Sequence, residues 1–168
     1  MLLKEIRTRV ENSAQYKEYI KAHSQAFLAH LFVNERAAHR HFELAYFDPI
    51  EKKATSFVTE PTVRVSAADE KLMAKGALKS LAFEKVTVSY DQAMQSVARI
   101  LREKYGNKSA TSVIGTLQQR EGPTWNLTVI TSGLSVIVFR IAADTGKVLV
   151  HEEQNLMGLG EMLPGTRK

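Results

Sequence analysis

The stretch SYDQAMQSVARILREKYG, residues 89–106, decides the fold, because both ends and the buried face of a helix are written into it. Ser89 is placed to cap the first turn, and Gln92, three residues on, completes a capping box. Asp91 falls in the first turn and Arg102 and Lys104 in the last, as the helix dipole favours. Gly106 stands where a helix commonly ends in a left-handed residue. Tyr90, Ala93, Met94, Val97, Ile100, Leu101 and Tyr105 recur at the helical period, so this helix must bury one face against something.

The chain beyond Gly106 supplies the other layer. Residues 111–119 carry Val113 and Leu117 on one face, and Gly122-Pro123 marks a turn. Trp125, Leu127 and Val129 alternate with Asn126 and Thr128, and residues 131–133 turn the chain again. Residues 134–141 are apolar except for Ser135 and Arg140, which reads as an inner strand. Asp144-Thr145-Gly146 is a turn, and residues 147–151 form the last strand.

The first half reads in the same order. Asn12 or Ser13 caps a helix reaching about His23, with Tyr16, Tyr19 and Ile20 on one face, and Leu2, Ile6 and Val10 mark a short leading helix. Residues 26–33 have the length of a buried strand. Residues 41–47 alternate, Phe42, Leu44 and Tyr46 facing one way and His41, Glu43, Ala45 and Phe47 the other. Asp48-Pro49 opens a turn, residues 53–60 form a strand, and residues 62–65 an edge strand beyond Pro61. Ser66 opens a second helix to residue 82 with Leu72, Met73, Ala77, Leu78, Leu81 and Ala82 as its stripe, although Gly76 costs it about 1 kcal/mol relative to alanine. Residues 85–88 are a short strand or extended link. The expectation is an α+β protein: antiparallel sheet hairpins packed by amphipathic helices, in two related units over 1–83 and 84–152, with a flexible tail over 153–168.

The order capped helix, strand, Trp-led strand WNLTVIT and closing ADTGKVLVHE resembles the PepSY domain family, through Trp125, Leu127, Val129, Asp144, Thr145, Gly146, Lys147 and Val148. The likeness covers residues 86–151, and YFDPIEKKATSF (46–57) looks like a degenerate second copy without the Trp and the Thr-Gly. It implies helices laid on hairpins, in a PepSY-like or cystatin-like arrangement. PepSY modules are mostly exported and are associated with peptidase propeptides or with regulatory binding.

Composition narrows the chemistry. The 168 residues include no cysteine, which excludes disulfides, thiol catalysis and cysteine metal sites. No apolar run reaches the roughly 18 residues of a membrane helix. Lys4 and Glu5 interrupt the apolar start, so no signal peptide is read and a cytoplasmic location is expected. Lys and Arg number 23 against 18 Asp and Glu, a net charge of +5. The excess is divided almost evenly at Phe83, +3 before it and +2 after. A face assembled from Arg7, Arg9, Arg36, Arg40, Lys52 and Lys53 would make a weak nucleic-acid binder, but without a basic run this reading is disfavoured.

Catalytic patterns fare no better. Asp144-Thr145-Gly146 spells the aspartic-protease triplet, but that chemistry needs a second carboxylate copy, and the first half offers only Asp48-Pro49. Gly146-Lys147 lacks the earlier glycine of a phosphate loop, no G-x-S-x-G elbow occurs, and Asn126-Leu127-Thr128 is a glycosylation sequon set inside a strand. His39 and His41 share a strand face, and with His30 from a neighbouring strand they are the candidate metal ligands of a small enzyme. Trp125 reads as core. The function expected first is a non-catalytic binding or regulatory module, without a cofactor, that recognises a protein, a peptide or a second copy of itself through surface complementarity or sheet-edge pairing.

Overall fold

The computed structural model describes residues 2–37, 39–66 and 78–154. Helices α1 (Leu3–Glu11) and α2 (Ala14–Ala22) lead into strands β1 (Phe27–Arg36), β2 (His39–Asp48), β3 (Lys53–Val58) and β4 (Arg64–Val65). A single 3-10 turn (Phe83–Lys85) precedes helix α3 (Tyr90–Lys104). Strands β5 (Ala110–Gln119), β6 (Pro123–Thr131), β7 (Val136–Ala142) and β8 (Val148–Gln154) complete the order. Among the described residues, the eight strands join one antiparallel sheet in the order β4-β3-β2-β1-β5-β6-β7-β8. The α+β expectation is therefore met, with the expected division at Phe83 falling between two four-stranded meanders that meet at β1 and β5.

Local chemistry sets the helices. Ser13 accepts from the Tyr16 amide at 3.2 Å and starts α2. Ser89 accepts from the Gln92 amide while Gln92 accepts from the Ser89 amide at 2.8 Å, closing the capping box of α3. Gly106 adopts φ +69° just past the C-cap, a conformation that a side chain would strain.

The three described helices cover the same side of the sheet. On β2, Tyr46 meets Tyr16 of α2 at a centroid distance of 4.8 Å, and Phe42, on the same face, meets Tyr90 of α3 at 6.0 Å. Tyr90 in turn sits edge-on to Trp125, which is fully buried and donates its indole N–H to the Val88 carbonyl at 3.0 Å. Around these rings pack Ile6 and Val10 of α1, Val97 and Leu101 of α3, and Leu31, Leu44, Leu117, Leu127, Phe139 and Ile141 of the sheet.

The seam between the meanders is tight. Along it Leu31 pairs with Leu117 and Val33 with Gly115. A Cβ on Gly115 would lie 2.5 Å from Leu127 Cδ2 and 3.1 Å from Val33 Cγ1. Glycine, normally a weak strand residue, is here the only residue small enough.

Three expectations change. Residues 78–82 of the expected second helix are not helical: the Leu81 amide donates to the Leu28 carbonyl at 2.9 Å and the Ala82 amide to Gln119 Oε1 at 3.0 Å, so sheet acceptors hold them. Residues 67–77, with Leu72, Met73 and Gly76, lie outside the described residues. Strand β7 begins at Val136, because Leu134 sits in the preceding turn at φ +58°. Strand β8 continues through Gln154, two residues into the expected tail, and residues 155–168 lie outside the described residues.

Gly115→Ala should lower unfolding free energy by about 1–3 kcal/mol in urea titration, because the added methyl overpacks the seam. Tyr46 is fully buried and donates to Glu11 Oε1 at 3.1 Å. Burial first, and the Glu11 charge second, raise its phenol well above the ordinary value. Its stabilisation is thus complete below the unfolded value of about 10 and is lost as pH rises towards the folded one. Tyr46→Phe should lose less stability than the parent between about pH 9 and about pH 11, read by circular dichroism during denaturation.

Candidate functional site: the uncovered face of the sheet

Because side chains alternate across a strand, each residue between the core positions points away from the helices. The register aligns these outward residues into rows. One runs Val58, Glu43, Phe32, Thr116, Asn126, Arg140, Val150 from β3 to β8. The next runs His41, Asn34, Ile114, Thr128, Val138, Glu152 from β2 to β8. Charges sit towards the ends of the rows. The outward positions of β5 are Ser112, Ile114, Thr116 and Gln118, and those of β6 are Thr124, Asn126, Thr128 and Ile130. None of these eight is ionisable. Phe32 is half-buried beside them and Ile114 is 45% exposed. Antiparallel sheets commonly turn a charged face to water. Here the middle of that face is neutral, with six uncharged polar residues and two isoleucines among the eight.

The sequence-predicted histidines lie on this face but do not converge. His30 pairs with Ala45 and His41 with Asn34, so four residues of strand, about 13 Å, separate them along the ladder. His39 pairs with Arg36, further still from His30, and His41 instead meets Glu43 Oε1 at 3.1 Å. The basic residues also scatter: Arg7 pairs with Glu11, Arg9 donates to the Pro61 carbonyl, and Arg40 bridges Glu35 and Asp91 over the Tyr90 ring. Asp144-Thr145-Gly146 is a turn between β7 and β8, with the Asp144 carbonyl accepting from the Thr87 hydroxyl at 2.7 Å and Gly146 at φ +79°. Asn126 and Thr128 of the sequon are outward residues of β6.

A second cluster escaped sequence reading. His23, the C-cap of α2, places Nδ1 2.8 Å from Asp48 Oδ2 at the end of β2 and 3.8 Å from Glu51 Oε1 in the β2–β3 turn. The other Asp48 oxygen accepts from the Ile50 and Glu51 amides at 2.8 and 3.3 Å. The His23 hydrogen bond, aided by those amides against the cost of burial, holds the Asp48 carboxyl below its ordinary range. The Asp48-Pro49 turn was legible, but nothing local joins it to a residue 25 positions away.

No family model matches the chain, and no curated protein does. Among solved structures, a candidate lipoprotein from Clostridium difficile 630 aligns with a TM-score of 0.50 at 12% identity, over 82% of this chain and 89% of that one. That likeness is one of fold. No described helix is long and apolar enough to cross a membrane.

Adjacent residues of β5 test the assignment of faces. Ile114→Arg should leave stability within about 0.5 kcal/mol of the parent. Val113→Arg, one position away but 2% exposed, should abolish cooperative thermal unfolding.

Proposed function

We propose that this chain is a non-catalytic binding module that recognises a protein or peptide across the uncovered face of its sheet, with the free edge of β8 available for strand pairing. The observation that carries the reading is the neutral centre of that face, framed by Arg36, Glu43, Arg140 and Glu152. A one-sided helix layer commits its apolar contacts to folding, and leaves a rigid surface about eight strands wide for association. Among the described residues β8 pairs with β7 alone, which makes its outer backbone groups the place where an added strand would pair.

The PepSY-like origin of both meanders belongs to the same proposal. Its support is the shared order of helix followed by four strands and the mirrored strand order about the seam. A cytoplasmic site of action belongs to it as well, with the candidate lipoprotein of similar fold as the contrary case; fractionation of the native host separates the two.

Affinity capture from the native host with matched baits tests the binding reading. A partner should be retained by the parent and by Arg99→Ala, on the solvent side of α3, and lost by Ile114→Arg and by Thr128→Arg. Identical capture by all four baits, or no capture by any, would overturn it.

A further inference from the structure

We propose that His23, Asp48 and Glu51 bind one divalent transition-metal ion of the zinc class, which clips the end of α2 to the β2–β3 turn. One nitrogen and two carboxylate oxygens, each from a different side chain, lie within 4.8 Å of one another. Zinc takes such ligands at about 2.0–2.2 Å, so their mutual separations in a bound site are about 3–3.5 Å. The observed 2.8 and 3.8 Å bracket that value, and the shifts required are within side-chain play. The donor set also selects the ion: an imidazole nitrogen suits zinc and its neighbours, whereas magnesium and calcium prefer oxygen alone.

The ligands are held in advance. Asp48 is buried, with one oxygen fixed by two backbone amides and the other turned to His23. The Tyr19 ring stacks on the imidazole at 4.4 Å and 24°. Three ligands leave a fourth position open on a tetrahedral ion.

Tyr19 lies against the cluster through its ring. Its phenolic oxygen is closed off from solvent and finds no hydrogen-bond partner among the described residues. The cluster is on the helix-covered side of the sheet, so it stands or falls apart from the binding face.

Titration calorimetry of the full chain with zinc chloride, and separately with magnesium and calcium chloride, tests the site. One zinc per chain should bind, with no heat from magnesium or calcium. Glu51→Gln, at an exposed position, should weaken zinc by about tenfold or more while leaving the circular dichroism spectrum unchanged. His23→Gln should abolish binding and the zinc-dependent rise in melting temperature. A His39→Ala, His41→Ala double variant should bind as the parent does. No stoichiometric zinc in the parent would reduce the cluster to an ion pair and overturn the proposal. Binding that survives Glu51→Gln and His23→Gln but is lost with His39 and His41 would move the metal to the open face and overturn it equally.

Discussion

Every larger feature of this protein depends on the antiparallel seam between β1 and β5. Each meander alone would end in an exposed first strand carrying Leu31 and Val33, or Val113 and Leu117, on its apolar side. Pairing these two strands hides both edges at once and makes one core under three helices. The seam tolerates little. Val33 faces a glycine because Leu127 of the next strand already fills the space where a methyl would go. Backbone pairing and side-chain volume are thus fixed at the same point, and the register of the outward rows is fixed with them.

That register gives the uncovered face its character. A slip of one residue would exchange inward and outward sets and bring Leu117 or Val33 to solvent. The cost of such a slip keeps Phe32, Ile114, Thr116, Asn126 and Thr128 together as a neutral patch, although they come from three strands. Polar β-branched and amide side chains suit this position. They stay soluble without a partner, and they suffer less desolvation than lysine or glutamate when covered.

How much of this was legible depended on the range of the forces involved. The helix over Tyr90–Lys104 was readable because its caps, charges and apolar stripe act within a few residues. The hairpins were readable for the same reason, their turn chemistry being local. Residues 78–82 depart from their helical pattern because their amides are claimed by Leu28 and by Gln119, partners that no periodicity reveals. The two-residue spacing of His39 and His41 correctly put them on one face. The place of His30 depended on the β1–β2 register, and the hairpin would have to slip by four residues to set it opposite His41. The mostly apolar run at 26–33 concealed that Phe32 points away from the core. His23 joined Asp48 only because the end of α2 comes down on the far end of β2.

The two ends of the sheet are unequal. At one end the described edge strand is Arg64–Val65, two residues long, and at the other β8 offers seven. A strand arriving from outside would find a longer run of backbone groups along β8 than along Arg64–Val65, so association by strand addition would favour that border.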